Sequence, residues 1–198
     1  MASKTIIKVS AKDLKIGICA RRSALPKGIA NQKMHHLPIL QHPDRRLRIK
    51  AAVVEHFDEK LADQAEKMLA TMYDAKGIGL AGTQVDFHQR VIVIDVSENR
   101  DSPIKLVNPE IELIGETVSN EEGCLSIPGV YDSVKRSNRI NVSAQAIDGS
   151  ALEMEAEDLL AICIQHECDH LDGILFIDHL SSLKRKRINE QLKKTSES

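Results

Sequence analysis

Two histidines and a glutamate near the carboxyl end of the chain form the pattern that most directly suggests chemistry. The segment His166-Glu167-Cys168-Asp169-His170 has the form H-E-x-x-H. Residues four apart lie on one face of a helix, so His166 and His170 can offer two imidazoles to one metal ion, with Glu167 beside them as a base. The alternative is a helix whose histidines are simply capped or buried, and the pattern alone does not decide between the two.

A catalytic metal centre of this kind needs a third protein ligand, because two imidazoles fill only half of a tetrahedral shell. Cys124, within an E-G-C-L-S run, is a candidate, although a single cysteine is more often an inert thiol. Two rivals stay open. His179 or Asp178 would complete the shell of a zinc endopeptidase. Cys168 would close a noncatalytic Cys₂His₂ site, but it lies two residues from His166 and so points away from the metal-facing side of the helix.

A glycine-rich run, GIGLAGTQ, occupies residues 77–84. It lacks the lysine of a P-loop, and its glycines do not follow a strand in the dinucleotide-binding pattern, so a phosphate cradle is disfavoured. The glycines alone indicate only a turn. Gln84 adds a chemical capability, because a neutral side-chain amide can stabilise an oxyanion without competing for a metal.

A mixed set of helices and strands must position these groups. From apolar residues at helical spacing, helices are predicted over residues 55–73, 156–170 and 181–194. From runs of β-branched and apolar residues, strands are predicted over residues 90–96, 104–107, 110–114, 130–134 and 139–147. We therefore expect an α+β fold, with mostly antiparallel strands around a central metal-binding helix and a further helix at the C-terminus.

Composition favours one soluble catalytic domain. The chain has 198 residues, 42% of them hydrophobic, and no stretch approaches the roughly 20 apolar residues of a membrane-spanning helix. We expect no membrane association. Aromatic residues make up 3% and tryptophan is absent, which leaves little from which to build a base-stacking platform. Four cysteines are too few for a secreted disulfide scaffold, so a cytoplasmic location is expected.

The first 36 residues differ in charge from the remainder. They hold eight Lys or Arg and one acid, Asp13, and removing these from the totals of 27 and 29 leaves 19 bases and 28 acids. We predict a basic N-terminal extension at residues 1–36 and a single catalytic domain at residues 37–198. An organelle-targeting leader, a bacterial extension and an upstream start codon, with Met34 the working one, are the alternatives. The run TIIKV at residues 5–9 is also able to form a short strand.

Three segments together resemble the peptide deformylase family. Its signatures are a G-x-G-x-A-x-x-Q loop, an E-G-C-x-S strand and a helix that reads H-E, an apolar residue, D-H. This chain has GIGLAGTQ, EGCLS and HECDH in the same order, and the resemblance, which is to the bacterial type, runs from about residue 38 to 187. Two departures are Gly82, where alanine is usual, and Cys168, where a bulkier apolar residue is usual. We expect Gly82 to loosen the loop that bears Gln84.

The resemblance implies a metal-dependent hydrolase that removes the formyl group from the N-terminal N-formylmethionine of newly made proteins. It implies one divalent ion held by Cys124, His166 and His170. The ion is usually Fe²⁺ in the family, while Zn²⁺, Ni²⁺ or Co²⁺ can occupy the same shell, and the Cys-His₂ ligand set suits any of them.

The resemblance also implies roles for the residues around the metal. Glu167 would act as general acid and base, while Gln84 and the backbone N–H of Leu125 hold the developing oxyanion. The substrate would lie extended beside the backbone of Ile78, Gly79 and Gly123, as an added strand. The pocket for its methionine side chain would involve Ile78, Leu125, Ile162 and Cys163.

Two features stay open in the sequence. Glu122 and Asp169 are either partners of Arg136 behind the metal or surface charges. The predicted helix over residues 181–194 lies in a segment, 181–198, with six Lys or Arg and two Glu. Some bacterial deformylases dock a C-terminal helix on the ribosome, so this basic helix is one that could bind ribosomal RNA. The alternative is that its charges simply face solvent.

Overall fold

The computed structural model describes residues 7–9 and 36–196. The strands in these ranges are β1 Ile7–Val9, β2 Gly79–Ala81, β3 Val91–Ile94, β4 Ile104–Leu113, β5 Thr117–Cys124, β6 Ile127–Ser137, β7 Arg139–Gln145 and β8 Ala151–Glu157. The helices are α1 Glu59–Asp74, α2 Asp158–Leu171 and α3 Ser182–Ser196, with short 3-10 helices at Arg45–Arg48, Gly82–Val85 and Phe176–His179.

The strands form two sheets. A six-stranded sheet has the order β1-β8-β7-β4-β3-β2, and β5 and β6 form a separate hairpin. Neighbouring strands are antiparallel except for β1 and β8, which run parallel. The predicted α+β class with mostly antiparallel strands is confirmed.

Helix α2 lies at the centre because most of its surface is apolar. Leu160, Ala161, Ile164 and Leu171 are fully buried and pack with residues of β3, β4, β7 and β8 in one core cluster. A helix that is apolar on most faces has to be enclosed. The histidines and the glutamate of the motif, which lie on this helix, are therefore carried into the interior.

The outer helices each bury one face. Helix α1 begins after Asp58, whose side chain accepts a hydrogen bond from the Leu61 backbone N–H at 2.9 Å, which explains a start four residues later than predicted. Its Ala65 and Met68 pack in a second core cluster with β3. Helix α3 places Ile188 in a third cluster, beside β6.

The largest difference from the predicted strands is at β4. Residues 104–107 and 110–114 were expected to form two strands, but one strand runs through, with a register shift between Val107 and Glu110. Pro109 cannot donate to a sheet ladder, so the break is absorbed as an irregularity. Asn108 stabilises it, since its side chain bonds both the N–H and the carbonyl of Val54, at 2.8 and 3.0 Å.

Strands β2 and β8 were not predicted, and β5 was anticipated only as the E-G-C-x-S strand that the resemblance implies. The predicted helix start at residue 156 lies in β8. The short strand expected within residues 5–9 is confirmed at Ile7–Val9; residues 5 and 6 lie outside the described ranges, as do residues 10–35. The boundary between extension and domain therefore stays a prediction.

None of the described helices is long and apolar enough to cross a membrane.

Candidate active site

Cys124 at the end of β5 meets His166 and His170 of α2 in the interior. One ligand atom from each residue lies within 4.8 Å of the others, and Cys124 Sγ is 3.2 Å from His170 Nε2. Ligand atoms about 2.1 and 2.3 Å from a tetrahedral ion are roughly 3.6 Å apart, so the spacing fits a single metal ion. Burial lowers the pKa of His170, which keeps the imidazole in the neutral form that binds metals. Donor set and spacing both fit a divalent transition metal.

A buried ionic network holds His166 from behind. Its Nδ1 lies 2.9 Å from Glu122 Oε2, and Arg136 donates to both oxygens of Glu122, at 2.8 and 3.1 Å. Arg136 also donates to Asp169 at 2.6 Å, and Asp169 contacts His179 at 2.7 Å. Burial alone would raise the pKa of Glu122, but the hydrogen bonds from His166 and Arg136 lower it to about 2. An ionised Glu122 fixes the Nδ1–H tautomer and leaves Nε2 to bind metal. Glu122 and Asp169 are thus partners of Arg136.

The Cys124 sulfur receives two hydrogen bonds. Gln84 Nε2 donates to it at 3.6 Å, and the Ser126 backbone N–H donates at 3.4 Å. Gln84 is itself fixed, because its Nε2 also donates to Ser126 Oγ at 3.1 Å and its Oε1 accepts from the Ala81 N–H at 2.8 Å. Such donors favour the thiolate, the form that binds metal. The sequence analysis gave Ser126 no role, although it is the serine of the E-G-C-x-S signature.

Glu167 is enclosed at the inner end of the same site. It is 4% exposed, and burial raises the pKa of its carboxyl to about 7. Its Oε2 has no hydrogen-bond partner among the residues that the structure describes. A Cβ on Gly79 would lie 2.3 Å from Glu167 Oε1 and 2.7 Å from Cys163 Sγ, so only glycine allows β2 to pass this close. A carboxyl that titrates near neutrality is suited to both taking and giving a proton.

A cleft of about 420 Å³ opens from this centre to the surface. It is lined by every residue predicted for the site except His170, which is buried behind it: Ile78, Gly79, Gln84, Gly123, Cys124, Leu125, Ile162, Cys163, His166 and Glu167. The exposed apolar side chains of Ile78, Tyr131 and Leu159 form its rim. Tyr131 and Leu159 were not singled out from the sequence, because nothing local marks a rim position.

The rival ligands lie elsewhere. Cys168 is 7% exposed within the main core cluster, and burial raises the pKa of its thiol to about 12. Asp178 is paired with Arg48, and His179 contacts Asp169 rather than the metal-facing histidines. Within the described part of the chain, neither rival ligand set comes together.

The loosening expected at Gly82 is wrong. A Cβ there would lie 2.5 Å from the carbonyl oxygen of Phe87 and 2.9 Å from that of Gln89. Glycine therefore lets the backbone pack more closely at this point, which tightens the turn that carries Gln84.

Comparison with known proteins gives consistent matches. The family described as polypeptide deformylase matches residues 36–186. The peptide deformylase of Chromobacterium violaceum is 56% identical over 159 residues, which cover 80% of this chain and 95% of that protein. A peptide deformylase structure from Legionella pneumophila superposes with a TM-score of 0.79 at 44% identity, covering 82% of this chain and 96% of the other. The structure of the Ehrlichia chaffeensis peptide deformylase in complex with actinonin superposes with a TM-score of 0.78 at 36% identity, covering 82% of this chain and 99% of the other.

Proposed function

This chain belongs to the polypeptide deformylase family, and we propose how its own residues perform the reaction of that family. The members are metal-dependent hydrolases that remove the formyl group from the N-terminal N-formylmethionine of new proteins. The observation that carries the proposal is the cluster of Cys124, His166 and His170, whose ligand atoms lie within 4.8 Å of one another. These three residues hold the metal. A divalent ion there supplies Lewis-acid chemistry, which makes water a stronger nucleophile and polarises a carbonyl group. We take Fe²⁺ as the resident ion, with Zn²⁺, Ni²⁺ and Co²⁺ as substitutes.

Glu167 carries the proton in this mechanism. It takes a proton from the water that attacks the formyl carbon, and it delivers that proton to the amine nitrogen when the C–N bond breaks, so that formate and a free N-terminus leave. Support comes from its burial, from the rise of its pKa to about 7 and from an Oε2 without a partner among the described residues.

The Gln84 amide and the Leu125 backbone N–H stabilise the negative charge that forms on the formyl oxygen. Support for Gln84 comes from its hydrogen bonds with Ser126 Oγ and the Ala81 N–H, which hold its amide beside Cys124. A donor held in place before the reaction needs no reorganisation as the charge develops.

The substrate lies extended between the two sheets. Gly79 is on β2, the edge strand of the large sheet, and Gly123 is on β5 of the hairpin, and both line the cleft. A peptide strand placed there would meet backbone on both sides, which accepts varied sequence after the first residue. Ile78, Ile162 and Cys163 surround its methionine side chain, with Leu125 as a further wall.

Two substitutions distinguish the proposed metal ligand from the proposed proton carrier. Glu167→Ala should keep the metal, because all three ligands remain, yet lower kcat by roughly 10²- to 10⁴-fold with little change in KM. Cys124→Ala should lose metal and activity together, because a ligand is gone. Cys168→Ala is the matched control, since this thiol lies in the core, and it should keep both. A Glu167→Ala protein that retains metal and most of its turnover would refute the mechanism.

Substrate class and ion are tested in parallel. Formyl-Met peptides should be deformylated, while the internal peptide bonds of the same peptides stay intact; cleavage of internal bonds would favour the endopeptidase rival. Metal analysis of protein prepared without oxygen should find Fe²⁺, and zinc as the main metal under those conditions would contradict that choice.

The setting of the reaction is a further part of the proposal. We infer a cytoplasmic enzyme that meets nascent chains at the ribosome, with α3 contacting ribosomal RNA. Support comes from the packing of α3, because Ile188 is buried while Lys186 and Arg187 are exposed.

Charge reversal at Lys186 and Arg187 should weaken cosedimentation with ribosomes at low salt and leave small-peptide turnover unchanged. The same change at the exposed Lys60 and Lys135 is the control. Equal ribosome binding by both double variants would contradict the role of α3.

A further inference from the structure

The N-terminal extension enters the described fold at one place, the strand β1. It runs parallel to the outer side of β8 with the register Ile7–Met154, Lys8–Glu155 and Val9–Ala156. Without β1, β8 would be the outermost strand of the sheet. This edge is the one opposite to β2, which borders the cleft.

The two paired strands have matching patterns. Met154 and Ala156 are buried in the core, and Glu155 between them is only partly buried. The register sets the two apolar residues of β1 opposite these two core residues and Lys8 opposite Glu155. By this register an apolar, basic, apolar segment lies opposite an apolar, acidic, apolar one, so the residue types of the two strands are complementary.

Charge complementarity extends beyond the three pairs. Residues 151–158 contain four acids and no base, whereas residues 1–15 contain four lysines and one acid. Arg139 of β7 lies 3.8 Å from Glu155 and 3.9 Å from Glu157. Because this one base is set against the four acids of residues 151–158, an excess of negative charge remains to attract the basic residues 1–15. Salt screens exposed charges, so this attraction weakens as ionic strength rises.

An uncovered β8 would also be a liability. Alternate N–H and C=O groups of an edge strand are unpaired and form a template for another chain. Three residue pairs are too few to hold a free peptide firmly. β1 is joined to the domain by the 26 residues between Val9 and His36, however, so its pairing with β8 is intramolecular. Intramolecular pairing acts at an effective concentration on the order of millimolar.

We propose that β1 is a strand clasp, in which residues 7–9 bind the acidic edge β8 of their own chain and close that edge to other strands. Because the clasp lies across the sheet from the cleft, it is separate from deformylation.

Hydrogen exchange of the β8 amides tests the clasp. The full chain is compared with protein that starts at Met34, and we expect removal of the extension to speed exchange in β8 by about tenfold or more. High salt should speed exchange in the full chain alone. Metal content and deformylase kcat should be equal in both proteins, which separates the clasp from the proposed catalytic function.

Point variants in the full chain keep the test independent of truncation. Lys8→Glu should unprotect β8, while Lys33→Glu, the same charge change outside residues 1–15, should leave it protected. Val9→Pro should unprotect β8 by removing a backbone donor. Equal β8 exchange in the full chain and the Met34-start protein would overturn the clasp. Protection that rises with protein concentration would also overturn it, since the strand would then come from a second copy.

Discussion

Replacing Glu122 by glutamine should show how much protein stability and metal affinity depend on the carboxylate that orients His166, while His166 itself stays unchanged. Glutamine keeps the shape of the side chain and one acceptor oxygen but removes the charge that His166 and Arg136 both contact at 2.8 to 3.1 Å. The folded protein lowers the pKa of Glu122 from 4.5 to about 2, and Glu122 is only 6% exposed. At 1.36 kcal/mol for each pKa unit, this difference corresponds to about 3 kcal/mol of stability.

The pH dependence follows from the direction of the shift. A folded pKa below the unfolded one stabilises the protein above pH 4.5, and that stabilisation is lost as the pH falls through about 2. Glu122→Gln should therefore be less stable than the natural protein by about 3 kcal/mol near neutral pH, and the gap should close on acidification. Metal affinity should fall by roughly 10- to 100-fold, because His166 loses its orienting partner.

Urea unfolding across this pH range and metal competition are the assays. Glu98→Gln, at an exposed position, is the control and should change stability by less than about 0.5 kcal/mol. If the stability gap between Glu122→Gln and the natural protein is the same at every pH, the charge of Glu122 is not the source of the stabilisation.

Three further predictions concern the same centre. Gly79→Ala should retain metal but lower kcat/KM by roughly 10²-fold or more, because the new Cβ displaces the Glu167 carboxyl; a variant with normal kinetics and normal metal per chain would contradict this close approach. Thr83→Val removes the 2.9 Å hydrogen bond to the His170 carbonyl and should lower the free energy of unfolding by about 1 kcal/mol, with an unchanged Tm as the contrary result. A chelator should abolish turnover and lower Tm, and added Fe²⁺ should restore both; activity that persists after metal analysis shows an empty protein would exclude a metal-dependent reaction.

The features that depend on local spacing are predicted correctly from the residues alone. His166, Glu167 and His170 share a helix because their separation matches its period and because the surrounding residues are apolar enough to bury it. Val91–Ile94 is a buried strand because all four of its residues are β-branched and apolar, which suits a strand covered on both faces. These elements need no distant partner to be recognised.

Local pattern misled where pairing decided the structure. The helix was predicted to begin at residue 156, and no strand was predicted before it, yet Ala151–Glu157 is a strand. It is one because β7 pairs with it along its whole length and Met154 and Ala156 reach the core. Tertiary pairing overrides intrinsic propensity when it buries apolar side chains on one face. The same segment receives β1, whose residues lie about 150 positions away in the sequence.

Which cysteine lies beside the two histidines depends on the three-dimensional fold. From the residues alone, Cys124 was one thiol among four, and its assignment as a ligand came from resemblance. The β5–β6 hairpin brings its sulfur to 3.2 Å from His170, while helical geometry turns Cys168 into the core. The hairpin also gives Glu122 and Arg136 their contact beneath His166. Distances between residues far apart in sequence depend on strand pairing and side-chain packing, and these are properties of the whole fold.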